Sequence, residues 1–510
     1  MTKIAKRVMF QGTSSHVGKS ILTTAFCRIL AQDGYKTAPF KAQNMALNSY
    51  VTLSGGEIGR STVAQAEAAG ALPIVQMNPV LLKPTGNSCS QVILLGTSVG
   101  NYSASEYQNH YSQRAWDTVK KSLDYMETHY DALVIEGAGS PAEVNLKKND
   151  IVNMRIAKEC QAPVFLIADI DRGGALASIV GTLELLEPEE RALVKGLVIN
   201  KFRGDISLLE PALTFLKEKT GIPVLGVIPY LEDLGIDDED SVSLQDLPSD
   251  HVMRDIHIAV MQTPKISNFT DFDALNHEPD VNLRFVQQGD MIGDPDLILL
   301  PGSKNTTEDL LYLKRQGYAK EIVEMAEKGV PVIGICGGFQ MLGEKVCDPL
   351  HVESSNDEVE GLGLLPYTTS MHGKKNTYQV TFDCDDLPFL NMQFAGKGMR
   401  GYEIHMGETT LTKPAQSLFH IVQRSEDKVD LQDGFINEKR NVFGTYCHGL
   451  FDNDDLRRAV INALRRRKGL PELLVQFKYR AYKESEFDRL AKMVRTHFDM
   501  DAFYEILRNE

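Results

Sequence analysis

Residues 10–26, FQGTSSHVGKSILTTAF, restrict what this chain can fold into more than any other stretch. RVMF before the turn reads as a buried strand, and KSILTTAFCRILAQ after it as a helix. Such a glycine-bracketed turn aims backbone N–H groups at one point, and the helix N-terminus adds partial positive charge there. The turn is therefore a phosphate site. Gly12, Thr13 and Gly18 would form the cradle, Lys19 can reach the β- and γ-phosphates of a nucleotide, and the Ser20 hydroxyl is a candidate Mg2+ ligand. Five residues, not the commoner four, separate Gly12 from Gly18.

A strand–turn–helix start predicts an α/β fold, and the rest of the first half agrees. KTAPFK, ALVIEGAG, PVFLIADI, KGLVINKF and PVLGVIP read as short buried strands, with helical patterns at 19–33, 57–70, 107–129 and 174–187 between them. That alternation predicts a largely parallel, doubly wound sheet over residues 1–232. An acidic, turn-rich tract at 233–251 reads as a linker. Alternation resumes with IHIAVMQ, LRFVQQ, DLILLPGS, PVIGICGG and VFGTYCHGLF, so residues 252–454 are expected to form a second doubly wound unit. Residues 455–510 read as a charged helical extension, and the run LRRRKG at 464–469 as a solvated helix end.

A chain of 510 residues with a net charge of −15 lacks the basic footprint of a nucleic-acid binder. No apolar run approaches a membrane span, and the first ten residues read as a strand, not a signal peptide. Seven scattered cysteines without CxxC spacing exclude a disulfide framework and point to a reducing cytoplasm. The expected partners are small molecules, with neither nucleic acid nor membrane among them. The oligomeric state stays open.

In the second half, PVIGICGGFQMLG places Cys336 on a sharp strand-to-helix turn between Gly334, Gly337 and Gly338. Such an elbow exposes a nucleophile near a helix N-terminus. His448, at the end of the strand in GTYCHGLF, is the candidate base, and Cys447 beside it reads as packing. Gly302, in the turn of LLPGSKNT, could pair its N–H with that of Gly337 as an oxyanion hole.

GTSSHVGKS resembles the loop of dethiobiotin synthetase and its relatives, which use ATP to activate a carboxylate. The likeness continues in VIEGAGS and implies Glu136 as a second Mg2+ ligand; a carboxylate at the C-terminal end of a strand beside the phosphate loop suits a hard cation. Asn200 and Lys201 in VINKFRGD could frame the adenine, although asparagine also serves turns for structural reasons. The elbow, the later histidine and the Pro-Gly turn resemble a class I glutamine amidotransferase domain of flavodoxin-like architecture. One departure stands out. Many such domains read His-x-Glu, but Gly449 and Leu450 follow His448, so the third member of a triad is missing from its usual place or supplied elsewhere.

Together the two halves resemble the enzymes that amidate the corrin ring, most nearly the cobyric acid synthase family. KAQNMALNS, GEIGRSTVAQAEAAG, NPVLLKPTG, EGAGSPAEVNL, ISNFTDFDAL and RGYEIHMG carry that likeness over nearly the whole chain. It implies amidation of the b, d, e and g carboxylates of (adenosyl)cobyrinic acid a,c-diamide, with ATP, Mg2+ and glutamine, through acyl phosphates. Gln43, Asn44, Asn48 and the Asp150 region are candidates to line the corrinoid site, with a plain turn role equally open to each. Two alternatives remain. The related a,c-diamide synthase typically carries a Gly-Pro-Asp turn where AQNMALNS stands here. A ParA-like ATP switch with a degenerate amidotransferase domain would not need the intact Cys336 and His448.

Overall fold

The computed structural model describes residues 4–85, 89–231, 234–236, 254–474 and 477–509. Most of the expected linker, 237–251, therefore lies outside the described residues. In the first half, six strands pair in parallel in the order Val224–Pro229, Val194–Phe202, Val164–Asp169, Lys6–Gly12, Ala132–Glu136 and Thr37–Phe40. Three of these strands are buried throughout for a reason. Every residue of Thr37–Phe40, Ala132–Glu136 and Val164–Asp169 is buried, as a sheet covered on both faces requires. The strand order reverses around Lys6–Gly12, so the phosphate loop leaves the sheet at its topological switch point, where ligands of open α/β sheets bind.

Beside this sheet stands a smaller one, Gln43–Met45, Val80–Pro84, Cys89–Leu94 and Thr97–Ser103. The helical pattern expected at 57–70 is realised as the helix Arg60–Ala68, with Glu57–Gly59 before it in a short strand.

In the second half, parallel strands run in the order Val281–Val286, Ile256–Met261, Leu297–Leu300, Val332–Ile335 and Val442–Thr445. In chain order this is 2-1-3-4-5, the flavodoxin-like arrangement. The sheet does not stop there. It continues antiparallel through Asp427–Ile436, Gln416–Arg424 and Tyr367–Cys384, and the last of these also pairs with Gly396–Leu411.

The C-terminal helices divide between the two halves. Asp454–Arg467 buries Leu456, Val460, Ile461 and Leu464 in the second core. Its Arg465 is not solvated, as the charge run suggested. It is buried and paired with Asp255 at 2.7 Å and Asp280 at 2.9 Å, while residues 466–469 are exposed. Tyr479–His497 and Met500–Asn509 return to the first half. There Phe498 and Phe503 meet Phe26 at ring-centroid distances of 5.0 and 4.7 Å and join the core around Phe10 and Phe165. No described helix is long and apolar enough to cross a membrane.

Candidate functional site

The phosphate loop is held from outside as well as by its own glycines. Gly18 starts the helix Lys19–Gln32 at φ 96°, a left-handed value that a side chain resists. A Cβ there would also run into the Asn200 amide. That amide donates to the Val17 carbonyl at 2.8 Å, and the Lys201 ammonium donates to the His16 carbonyl at 2.7 Å and pairs with Asp169 at 2.9 Å. The structure thus places Asn200 and Lys201 as braces of the loop. Thr13 extends the strand edge, its N–H on the Ile167 carbonyl at 2.9 Å. Gly12 is closely packed, since a Cβ would lie 2.9 Å from the Ser14 carbonyl and 3.1 Å from Lys19 Nζ. Lys19 lies across the loop, donating to the carbonyls of Ser14 at 2.9 Å and Gly139 at 3.2 Å.

Glu136 is fully buried at the end of its strand and gathers three donors. Ser20 Oγ and Lys41 Nζ reach Oε1 at 2.8 and 2.9 Å, and Gln65 Nε2 reaches Oε2 at 2.5 Å. The donor set fits Mg2+. The Ser20 and Glu136 oxygens are hard ligands 2.8 Å apart, close to the separation of about 2.9 Å between neighbouring corners of a magnesium octahedron. Among the described residues no three His, Cys, Asp or Glu cluster as a metal site. Lys41 and Gln65 were not singled out in the sequence, although both lie within the stretches KAQNMALNS region and GEIGRSTVAQAEAAG that carry the family likeness.

The wall made by Gly139 and Ser140 separates the phosphate loop from a cavity of about 550 Å3, predominantly apolar in lining. Met45, Leu82, Val92 and Ile151 supply much of that surface, and Gln43 and Asp150 supply polar atoms. Gln43 Oε1 accepts from the Tyr107 hydroxyl at 2.6 Å. The Asp150 carboxylate accepts the Val152 and Asn153 N–H groups at 2.9 and 3.0 Å, so it also closes a turn. Asn44 and Asn48 are buried and do not line this cavity.

The second centre is built around Cys336. Its backbone sits at φ 52°, ψ −103°, a strained conformation between the strand Val332–Ile335 and the helix Gly337–Leu342. The flanking glycines allow close approach. A Cβ on Gly338 would run into the Leu300 carbonyl, and one on Gly337 would lie 2.7 Å from Ser303 N. The expected oxyanion turn is thereby brought against the elbow. Gly302 also faces the base, because a Cβ there would lie 3.0 Å from His448 Cε1. The thiol lies 3.5 Å from the Ile404 carbonyl.

Asp271 stands where the third member of a triad would. Its Oδ2 is 2.6 Å from His448 Nδ1 and its Oδ1 accepts the Gly449 N–H at 2.9 Å, with both side chains almost completely buried. Burial alone would keep the imidazole neutral. The Asp271 carboxylate and the Cys336 sulfur outweigh it and push the His448 pKa up to about 10. Nε2 of His448, buried, has no hydrogen-bond partner among the described residues and is left for the thiol proton. Tyr402 stacks flat on the imidazole, 4.9 Å between centroids and 14° between planes. Its backbone exchanges two hydrogen bonds with His448. His405, from the same strand, is held neutral, burial pulling it down to about 3, and stacks on Tyr446. Sequence spacing could not find Asp271, which lies 177 residues before its histidine. Its only signal was membership in ISNFTDFDAL.

Both halves match known families. Residues 8–243 match the family described as the CobQ/CobB/MinD/ParA nucleotide binding domain, and residues 257–456 the CobB/CobQ-like glutamine amidotransferase domain. A cobyric acid synthase of Pelotomaculum thermopropionicum is 52% identical over 99% of this chain and 97% of its own length. One from Moorella thermoacetica is 51% identical over 99% and 98%, and one from Carboxydothermus hydrogenoformans 50% identical over 99% and 100%.

Proposed function

The chain belongs to the cobyric acid synthase family, glutamine-dependent amidoligases of cobalamin biosynthesis, and on that premise we propose that it amidates the b, d, e and g carboxylates of (adenosyl)cobyrinic acid a,c-diamide. Residues 1–232 activate the carboxylate and residues 252–454 release ammonia from glutamine. The corrinoid occupies the apolar cavity beside Gly139, with Gln43 and Asp150 at its polar edge.

In the first centre a corrinoid carboxylate oxygen attacks the γ-phosphorus of ATP. ADP leaves and an acyl phosphate forms. Lys19 turns from the Ser14 and Gly139 carbonyls to the phosphates, and the amides of the loop stabilise the charge in transfer. Ser20 and Glu136 are the residues that would hold Mg2+, which supplies neutralisation of phosphate charge when bound. Lys41, buried against Glu136, adds a fixed positive charge at the same point.

In the second centre the Cys336 sulfur attacks the glutamine carboxamide. His448 takes the thiol proton on Nε2 and delivers it to the departing ammonia, while Asp271 holds the ring by Nδ1. The amides of Gly337 and of the Gly302–Ser303 turn face the developing oxyanion. Water then hydrolyses the glutamyl thioester. The released ammonia displaces phosphate from the acyl phosphate and gives the amide. Free cysteines throughout support a reducing cytoplasm as the compartment.

The observation that carries this reading is the Gly139 wall. Its carbonyl receives Lys19 on one side and its backbone lines the cavity on the other, so phosphate and corrinoid carboxylate can meet there. The test is mass spectrometry of the corrinoid after incubation with ATP, Mg2+, glutamine and the a,c-diamide. Successive carboxylate-to-amide exchanges, ending at four, are expected. A corrinoid that remains unchanged while ATP and glutamine are both consumed would refute the substrate assignment.

A further inference from the structure

The cleft above Cys336 is lined from both halves of the chain. Beside Cys336 the lining includes Lys304, Glu353 and Lys375 of the second half and Lys83 of the first. Lys83 belongs to the strand Val80–Pro84 and is buried. Its ammonium donates to Glu57 at 2.8 Å and to Ser49 Oγ at 2.9 Å. The other oxygen of Glu57 receives Lys375 at 2.6 Å, so this buried carboxylate ties the halves together. An ammonium has three donors, and one of those on Lys83 is unspent. Among the described residues the Lys304 ammonium has no hydrogen-bond or ion-pair partner.

The charges do not balance. Three ammonium groups face two carboxylates, Glu57 and Glu353. Glu353 accepts the Thr306 N–H at 2.9 Å through Oε2, and its Oε1 has no partner among the described residues. Burial pushes the Glu353 carboxyl up to about 7 and the Lys83 and Lys304 ammonium groups down, Lys83 to about 8, so each of these groups gains from a ligand of opposite charge. One cleft lining therefore combines unspent cationic donors, one unspent carboxylate oxygen and the Cys336 sulfur. An α-amino acid with a side-chain amide presents the matching groups: a carboxylate, an ammonium and a carbonyl for attack.

We propose that Lys83 and Lys304 bind the α-carboxylate of glutamine and Glu353 its α-ammonium, so that the first half of the chain supplies part of the glutamine site. This rests on Cys336 being the glutaminase nucleophile. The strand bearing Lys83 gives the arrangement a second meaning. Side chains alternate along a strand. Leu82 and Pro84 line the large cavity beside the phosphate loop, whereas Lys83 between them lines the glutamine cleft. One strand therefore carries the wall of one site and a specificity residue of the other.

The test measures ammonia release by the full chain from glutamine, from 4-aminobutanamide, which lacks the α-carboxylate, and from 4-carbamoylbutanoate, which lacks the α-ammonium. Lys83→Met and Lys304→Met should each raise KM for glutamine by about tenfold or more, with little change in kcat, and leave kcat/KM for 4-aminobutanamide as it was. Lys→Arg at either position should restore much of the loss. Glu353→Gln should penalise glutamine and 4-aminobutanamide but not 4-carbamoylbutanoate. Loss of equal size on all three substrates, or an unchanged KM for glutamine in both Lys→Met variants, would overturn the proposal. If wild-type chain and Cys336→Ala release ammonia from glutamine equally, the nucleophile assignment has failed, and this site with it.

Discussion

Replacing Asp271 with asparagine isolates the interaction on which the base depends. The carboxylate accepts from His448 Nδ1 at 2.6 Å and from the Gly449 N–H at 2.9 Å. An asparagine has one acceptor oxygen. If that oxygen stays on Gly449, the amide nitrogen faces Nδ1 and donates to it, which forces the ring proton onto Nε2, the nitrogen needed by the thiol. Breaking a buried ion pair by removing one partner costs about 3–5 kcal/mol. Charged to the reactive state of the imidazole, at about 1.4 kcal/mol per tenfold, this is a fall of roughly 10²–10⁴ in glutaminase kcat/KM. Glutamate release measures it, beside amidation driven by ammonium chloride, which should persist because the acyl phosphate forms elsewhere. The pH profile gives a second readout. Asp271 favours the charged ring, so its removal lowers the His448 pKa, and the alkaline limb that lies near pH 10 in the wild type moves down. The same pair contributes stability that is fully present below an ordinary imidazole pKa of about 6.5 and is lost as the pH rises through about 10. A variant within threefold of wild type, with an unmoved alkaline limb, would refute the role given to Asp271.

Cys336→Ala should abolish glutamine-dependent amidation and retain amidation by ammonium chloride, at a rate that rises with pH toward the pKa of ammonium; activity with glutamine would exclude this nucleophile. Ser20→Ala should raise the Mg2+ concentration for half-maximal rate by about tenfold, since it removes one oxygen donor and leaves the Lys41–Glu136 pair in place. Glu136→Gln should be the more damaging change, because it also strands the buried Lys41; magnesium titration together with thermal unfolding separates the two effects. Phe503→Ala should cost about 3–5 kcal/mol and lower the unfolding midpoint of the nucleotide-binding half, followed by calorimetry with and without ATP.

The parallel strands were legible because they are short, apolar and bounded by glycine or helix patterns. The phosphate loop and the Cys336 elbow were legible because glycine is required at fixed offsets from the reactive residue. The antiparallel extension over 367–436 was not. Tyr367–Cys384, YTTSMHGKKNTYQVTFDC, is half-exposed and polar at its centre, so no buried run announces it. Asp271, Lys41 and Lys83 escaped for a different reason. Each acts through a neighbour far along the chain, and only the folded backbone brings the two together. Asn200, expected near the adenine, also donates one amide N–H to the Val17 carbonyl of the loop, a bond that leaves its second N–H and its oxygen for a ligand.

The helices after residue 479 pack on Phe26 and Phe165, which are made hundreds of residues earlier. During synthesis the last strand of the first sheet, ending at Pro229, is made 269 residues before Phe498. At about 5–20 residues per second the nascent first half waits roughly 15–55 s with the seat of Phe498 and Phe503 uncovered. A chain of this design is exposed to aggregation throughout that wait, and truncation before Phe498 leaves that apolar surface open permanently.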